Sequence, residues 1–325
     1  MIAKISFGLL ITFLLITFDS ATAQQSKIYR VGVLVPGEIW FEIVDGLRSG
    51  LKQLGLEEGK QYSLTIRDWK NNAKMAEAAA KNLETQKVDL IYATSTGSAI
   101  AARRATANNI PIVFCAGTDP VVVGLVDNFA NPGGRLTGAY SRVTDLTGKR
   151  LELLKEIVPK LRRVVTFYNP STAVAIESSR LAREAAQRSG IQLIERHATS
   201  DQAFIESVRA LKAGEVDAYL AVSDPLAANH ARLIIDTAKD KRLPTMFDFQ
   251  SLVFMGGLSS YSVSFQEVGR VSAKYVQRIL TGVKPQDLPV EGVDKIDFVV
   301  NLKAAMQIGL TIPPNVLARA DKVIR

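Results

Sequence analysis

The sequence contains a single cysteine, Cys115, and only two histidines, His197 and His230, in 325 residues. One cysteine rules out an internal disulfide, and neither paired-Cys nor HExxH spacing is present to indicate a metal site. The sequence also lacks the GxSxG elbow, the GxGxxG fingerprint and the phosphate-binding loop of common enzyme classes. We therefore expect no catalytic residue, no metal and no cofactor, and we interpret His230 as a solvated or capping side chain.

Charge of one sign is not concentrated in any part of the chain. The formal net charge is +8, from 40 basic and 32 acidic residues, and basic residues occur in short pairs such as Arg103-Arg104, Lys149-Arg150 and Arg162-Arg163. Several pairs lie near predicted helix ends, where the helix dipole favours cations. A nucleic-acid-binding protein would gather basic residues on one face or combine them with stacking aromatic residues. The pattern predicts a basic, solvated surface and no nucleic-acid partner.

The only long apolar run is at the N-terminus. Lys4 precedes the run 5–18, and Ala21-Thr22-Ala23 follows it as a small-residue cleavage site. An apolar core of about 14 residues is typical of a secretory signal peptide and too short for a membrane span. We predict a signal peptide over 1–23 and a mature chain that starts near Gln24, outside the cytoplasm and without stable membrane insertion. No cysteine stands at the cleavage site, so we expect no lipid anchor.

Predicted strands and helices alternate along the rest of the chain. Short apolar runs indicate buried strands over 28–35, 62–66, 88–93 and 112–114, and again over 163–168, 191–196, 216–222 and 243–249. Amphipathic segments lie between them. This alternation predicts an α/β fold with parallel sheets and right-handed crossovers, arranged as two doubly wound lobes.

The breaks in the pattern indicate how the two lobes are joined. We expect the chain to leave the first lobe near Gly138, to return near Ser259 and to leave again near Lys295. The predicted N-terminal lobe is 24–140 plus 260–295, and the predicted C-terminal lobe is 141–259 plus 296–325. Three crossovers of this kind would form a hinge.

Polar residues follow the buried strands of both lobes. An Asp-Pro pair comes after a strand in each lobe, at Asp119-Pro120 and Asp224-Pro225. Either pair alone is readily explained as a turn or a helix cap. Their matching positions favour a shared cleft, because ligands of open α/β sheets bind at the carboxyl ends of the strands.

The residue types at these positions suit an amino-acid ligand. Thr94, Ser95 and Thr96 stand at a predicted helix N-terminus, where free N–H groups and hydroxyls can bind a carboxylate. Asp119 and Asp224 could accept hydrogen bonds from an ammonium group. Two interpretations of Trp40 remain open, one as a stacking partner of an apolar ligand and one as a core residue that anchors the first helix. We interpret Glu38 as solvated.

Longer stretches resemble one protein family over nearly the whole mature chain. These are GLRSGLKQLGLEEGK, IPIVFCAGTDPVVVGLVDNFANPGGRLTG, LTGKRLELLKEIVP, Asp224-Pro225-Leu226 and GLTIPPNVLARADKVI. In this order they resemble the periplasmic substrate-binding proteins of ABC transporters whose characterised relatives bind aromatic amino acids. The resemblance implies a type I periplasmic-binding fold that closes on a small molecule and delivers it to a membrane permease.

The resemblance also implies which positions form the cleft, namely Thr96, Asp119, Asn169 and Asp224. Together with the residues chosen from strand ends, the predicted ligand-binding set is Trp40, Thr94, Ser95, Thr96, Thr118, Asp119, Asn169, Ser171, Asp224 and Phe247. We expect a periplasmic monomer that is not an enzyme and that binds an amino acid or an aromatic acid. Two alternatives remain, an exported module that senses ligand for a membrane kinase and, less favoured, a small-ester hydrolase.

Overall fold

A computed structural model describes residues 27–107 and 109–325, so the predicted signal peptide lies outside the described residues. The strands are β1 Tyr29–Val35, β2 Tyr62–Asp68, β3 Leu90–Ala93, β4 Ile112–Ala116, β5 Leu136–Tyr140, β6 Arg163–Tyr168, β7 Gln192–His197, β8 Ala218–Leu220, β9 Thr245–Phe247, β10 Ser259–Val263, β11 Glu291–Gly292, β12 Ile296–Asn301 and β13 Lys322–Ile324. The helices are α1 Phe41–Gln53, α2 Ala73–Thr85, α3 Thr96–Ala105, α4 Thr147–Ile157, α5 Ala173–Ser189, α6 Asp201–Arg209, α7 Pro225–Asn229, α8 Ala231–Asp240, α9 Gln250–Phe254, α10 Phe265–Leu280, α11 Leu302–Gln307 and α12 Pro314–Leu317. Short 3₁₀ turns occupy Glu38–Trp40 and Pro285–Asp287.

The strands form two sheets, one in each lobe, which confirms the predicted two-lobed α/β architecture. The first has the order β11-β5-β4-β3-β1-β2 and the second the order β13-β12-β10-β9-β8-β6-β7. The central strands β3 and β4 are buried throughout, because helices cover both faces of the sheet. The second sheet has one antiparallel pair, β10 with β12, which the predicted all-parallel pattern did not include.

The α10 helix returns the chain to the first lobe and packs closely on α1. A Cβ atom at Gly46 would overlap the carbonyl oxygen of Gln266, and one at Gly269 would overlap that of Ile43. Glycines on both helices therefore allow the two backbones to approach closely. This contact fixes residues 265–280 to the first lobe.

The three crossovers lie close together in 141–146, at Ser264 and in 293–295. The N–H of Ser264 donates to Lys295 O, and that of Val293 donates to Tyr140 O. The predicted lobe boundary at 260 falls inside β10, which pairs with β9 and β12 of the second sheet. The second crossover therefore follows Val263. Three of the five residues of β10 are serines, so the sequence has no apolar pattern to indicate which sheet this strand joins, and the backbone pairing decides it.

One of the basic pairs departs from the predicted solvated surface. Arg150 is completely buried, while its neighbour Lys149 faces solvent. The Arg150 Nε donates to Tyr261 O over 2.8 Å, and burial lowers the pKa of its guanidinium to about 10. Arg150 thus ties the start of α4, just after the first crossover, to β10, just before the second. Within residues 27–107 and 109–325, none of the helices combines the length and apolar character that crossing a bilayer requires.

Candidate ligand-binding site

A cavity of about 740 Å³ lies between the two lobes, at the carboxyl ends of the strands. The first lobe contributes the loops after β1, β2, β3 and β4, and the second lobe those after β6, β8 and β9. Seven of the ten predicted residues line this cavity: Trp40, Thr94, Ser95, Thr96, Asn169, Ser171 and Asp224. Predicted residues of the first lobe and predicted residues of the second lobe therefore line one cavity.

The other three predicted residues, Thr118, Asp119 and Phe247, lie elsewhere. The Asp119 Oδ1 accepts from the N–H groups of Val121 (2.8 Å) and Val122 (3.2 Å), so this carboxylate caps its own turn. Thr118 is buried, and its backbone N–H donates to the Thr96 Oγ1. Phe247 points into the core against Tyr219, with ring centroids 5.6 Å apart. Side chains alternate along a strand, and the position of Phe247 in β9 directs it away from the cavity.

The N-terminus of α3 forms the polar wall in the first lobe. Ser95 caps the helix, because its Oγ accepts from the Ser98 N–H over 3.1 Å. The N–H groups of Thr96 and Gly97 have no acceptor among the described residues. Helix N-termini of this kind carry a partial positive charge and bind anions. The wall therefore offers two N–H groups and the helix dipole to an anionic group.

The hydroxyls of this segment hold the loop in position. The Thr94 Oγ1 donates to Leu34 O over 2.9 Å, which anchors the end of β3 to β1. The Thr96 Oγ1 accepts from the N–H groups of Gly117 (3.0 Å) and Thr118 (3.4 Å), which ties α3 to the loop after β4. Since both contacts use oxygen lone pairs, the Thr96 hydroxyl proton remains available to a ligand.

Asp224 forms the polar wall in the second lobe, where only 3% of it is exposed. Its Oδ2 accepts from the N–H groups of Asn169 (3.0 Å) and Ala227 (3.2 Å), and its Oδ1 accepts from the Thr172 hydroxyl (3.3 Å). Burial raises the pKa of this carboxyl to about 6, although the hydrogen bonds oppose the shift. The site thus contains a buried carboxylate whose charge lacks a cationic partner among the described residues.

Asn169 links this carboxylate to the cavity rim. Its Oδ1 accepts from the Ser171 N–H over 2.9 Å, which stabilises the turn between β6 and α5. Its own N–H donates to Asp224. The two predicted residues Asn169 and Ser171 therefore belong to one turn, built against the carboxylate.

Aromatic side chains form the apolar wall. The Trp40 ring meets Phe249 of the second lobe edge-to-face, with centroids 5.6 Å apart and an interplanar angle of 74°. Phe249 in turn meets Phe265 at 4.6 Å and 84°. All three line the cavity. Trp40 therefore packs in the core and also lines the cavity, and its contact with a ligand stays a prediction.

Trp69, Phe249 and Phe265 line the cavity but were not among the predicted contacts. The parallel register from Tyr29↔Tyr62 to Val35↔Asp68 places Trp69 directly after the end of β2, beside the loop after β1. The Trp69 Nε1–H donates to Ser98 Oγ over 2.9 Å, which orients the indole along α3. The position of Trp69 immediately after a parallel strand was the sequence signal that could have placed it at the cavity. No such sequence signal indicates Phe265, which reaches the cavity because the second crossover places it there.

Neither histidine lines the cavity. The His230 ring stacks on Phe204 and lies 2.6 Å from Asp201 Oδ1, and His197 lies 2.8 Å from the Tyr168 hydroxyl. Cys115 does reach the cavity, but burial raises the pKa of its thiol to about 11, so it is protonated at neutral pH. In the part of the chain that the structure describes, no cluster of three His, Cys, Asp or Glu residues could hold a metal ion.

A sequence profile of the family described as ABC transporter substrate binding protein matches residues 29–324. The chain belongs to this family. A curated relative, the tyrosine-binding protein of Clostridioides difficile (strain R20291), is 25% identical over 256 residues, which are 79% of this chain and 73% of that protein.

Two solved structures share the fold of this chain. An ABC domain in complex with L-Trp from Streptococcus pneumonia has a TM-score of 0.82 at 24% identity, and the match covers 92% of this chain and 100% of that one. A ligand-free, open structure of a substrate-binding protein with adhesive properties from Clostridium difficile has a TM-score of 0.65 at 24% identity, covering 92% and 99%.

Proposed function

We propose that this substrate-binding protein captures an aromatic amino acid between its two lobes and delivers it to the permease of an ABC importer. The observation that carries the proposal is the composition of one cavity. It combines open N–H groups on α3, the buried carboxylate of Asp224 and an aromatic wall that includes Trp40 and Trp69. A carboxylate, an ammonium group and an aromatic ring are what such a cavity would bind.

The two polar walls define how the ligand would lie. Its carboxylate would accept from the N–H groups of Thr96 and Gly97 and from the Thr96 hydroxyl, at the positive end of α3. Its ammonium group would donate to Asp224, and a charge-assisted hydrogen bond would offset the desolvation of this carboxylate. Because α3 belongs to the first lobe and Asp224 to the second, one amino acid would bridge both lobes and favour closure.

The aromatic wall would select the side chain. Trp40 and Trp69 present indole rings to the cavity, and edge-to-face or offset-stacked aromatic pairs contribute about 0.5 to 1.5 kcal/mol beyond their burial. An aliphatic amino acid keeps both polar contacts but loses this contribution. The named ligands of the relatives from Clostridioides difficile and Streptococcus pneumonia, tyrosine and L-Trp, fit the same set of groups.

Calorimetric titration with matched compounds tests the proposal. L-tryptophan and L-tyrosine should bind with one site per chain, whereas tryptamine lacks the carboxylate, indole-3-propionate lacks the ammonium group and L-leucine lacks the ring. Each missing charged group should weaken binding by roughly 10- to 100-fold, because a hydrogen bond to a charged group contributes about 1.5 to 3 kcal/mol. Equal affinity for L-tryptophan and tryptamine would contradict the assignment of α3 as the carboxylate wall.

Delivery and location need cell-based measurements. With cleavage after residue 23, the protein should be recovered outside the cytoplasm as a monomer without a lipid. Cells that lack the gene should lose saturable uptake of the bound amino acid, and a copy carrying Asp224→Ala should not restore it. Unchanged uptake in cells that lack the gene would contradict the transport function, and restoration by the variant to the parent level would exclude Asp224 from the ligand site.

A further inference from the structure

One hydrogen bond joins the two lobes away from the hinge. The Asn229 Nδ2, at the end of α7 in the second lobe, donates to Pro36 O, after β1 in the first lobe, over 3.2 Å. This bond lies outside the three crossover segments. None of Pro36, Gly37 and Asn229 lines the ligand cavity.

The position of this contact makes it sensitive to lobe opening. In the first sheet β1 is three strands from β5, which leads into the first crossover, and in the second sheet β8, which precedes α7, is two strands from β10. At a strand spacing of about 4.8 Å, these are distances of roughly 14 and 10 Å from the hinge strands. A hinge rotation of about 20° would move groups at such distances apart by about 3.5 to 5 Å, which breaks a hydrogen bond.

Glycine at position 37 leaves room for the Asn229 amide. A Cβ atom at Gly37 would overlap the Asn229 Oδ1 and would lie 2.9 Å from its Cγ. The amide therefore packs directly on the Gly37 backbone while it donates to the preceding carbonyl. Any larger residue at 37 would displace the amide in this arrangement of the lobes and would have no such effect once the lobes separate.

The contact also connects two parts of the ligand site. Asp224 caps the N-terminus of α7 and Asn229 is its last residue, so the whole helix of about 7.5 Å lies between the predicted ammonium contact and the bond to Pro36. On the other side, the Glu38–Trp40 turn follows directly, and Trp40 belongs to the aromatic wall. A ligand that orders both walls thereby places Asn229 opposite Pro36.

We propose that Asn229 and the Pro36–Gly37 loop form a latch that holds the closed form on its ligand, Asn229 acting as a positioning residue. This inference rests on the proposed function only for the identity of the ligand. The latch adds to the stability of the closed form alone. Losing it lowers the population of the closed form and so weakens apparent affinity in the same proportion.

Dissociation of L-tryptophan, followed by stopped flow, tests the latch through two substitutions. Asn229→Ala removes the donor, and Gly37→Ala keeps the donor but displaces it. Each should speed dissociation by roughly two- to tenfold, the range for one neutral hydrogen bond. The double variant should dissociate no faster than Asn229→Ala, because the added methyl group then meets no amide.

Two control substitutions of the same types should leave dissociation unchanged. Asn315→Ala removes an exposed asparagine in the second lobe. Gly148→Ala adds a Cβ that meets only Ala185 and Arg188, at ordinary contact distances of 3.7 and 3.8 Å. The latch would be overturned if neither Gly37→Ala nor Asn229→Ala speeds dissociation. It would also be overturned if the double variant speeds dissociation by the product of the two single effects.

A cross-linking experiment separates failure of the latch from failure of the proposed ligand. In a Gly37→Cys/Asn229→Cys variant treated with diamide, a disulfide should form whenever the lobes close, since Cys115 is buried. L-tryptophan should accelerate its formation, and the single-cysteine variants should not cross-link within the chain. Formation that L-tryptophan does not accelerate would support the latch and contradict the ligand. No disulfide under any condition would contradict the latch.

Discussion

Replacing Asp224 by asparagine should stabilise the ligand-free protein at neutral pH while abolishing tight binding. The carboxyl is 3% exposed, and burial raises its pKa from 3.8 to about 6. A shift of this size means that the ionised group costs the folded state about 3 kcal/mol above pH 6. Asparagine has a similar shape, can still cap α7 and carries no charge.

The expected gain follows from two opposing contributions. Removing the charge recovers about 3 kcal/mol, whereas exchanging one acceptor oxygen for an amide group loses a hydrogen bond worth about 1 kcal/mol. Asp224→Asn should therefore unfold with a free energy about 2 kcal/mol higher than the parent near pH 7. The parent should gain stability as the pH falls from about 6 to about 4, because its folded state takes up a proton there, so the difference should disappear near pH 4.

Urea unfolding of the ligand-free parent and variant across this pH range measures the difference directly. Asp248, whose pKa burial also raises, is present in both proteins, so it does not affect the comparison. Asp217→Asn provides a control of opposite sign. Although burial opposes it, hydrogen bonds from Arg163 and Arg162 lower the pKa of Asp217, and losing this carboxylate should destabilise the protein at neutral pH. An Asp224→Asn variant that is less stable than the parent at pH 7, with an unchanged pH profile, would refute the reasoning.

Three further predictions concern the same cavity. Affinity for L-tryptophan should fall about tenfold from pH 7 to pH 5, because a protonated Asp224 must lose its proton to bind an ammonium group. This pH dependence should vanish in Asp224→Asn, and an unchanged affinity of the parent at pH 5 would exclude Asp224 as the partner of the ammonium group. Thr96→Val should weaken binding by roughly 10- to 100-fold and lower stability by about 1 kcal/mol, since the Gly117 N–H loses its acceptor; calorimetry and urea unfolding check both, and parent-like values would remove Thr96 from the site. Trp40→Phe and Trp69→Phe should each reduce the change in tryptophan emission on binding L-tyrosine, because both indoles line the cavity; a full signal in either variant would exclude that residue from the ligand wall.

The two-lobed α/β fold was predictable from the sequence because the signals of its elements are local. The α10 helix, for example, has Ser264 as its cap and an apolar stripe that packs on α1. The β6 strand is likewise a short apolar run between turn residues. By contrast, three of the five residues of β10 are serines, and only its pairing with β9 and β12 assigns it to the second lobe.

The candidate site was predictable only in part, because local chemistry does not determine what a turn faces. Asp119 and Asp224 carry the same Asp-Pro signal, and both accept from N–H groups two to three residues later. Asp224 caps a helix that points at the cleft, whereas the turn of Asp119 lies outside the cavity. Lys149 and Arg150 are a second example, because these adjacent basic residues of one helix face different directions and only Arg150 is buried.

The most direct test of the central claim is a crystal structure of the protein grown with L-tryptophan. The account predicts one ligand between the lobes, with its carboxylate on the N–H groups of Thr96 and Gly97, its ammonium group on Asp224 and its indole against Trp40 and Trp69. An empty cleft at saturating L-tryptophan, or a ligand bound outside the cleft, would contradict it.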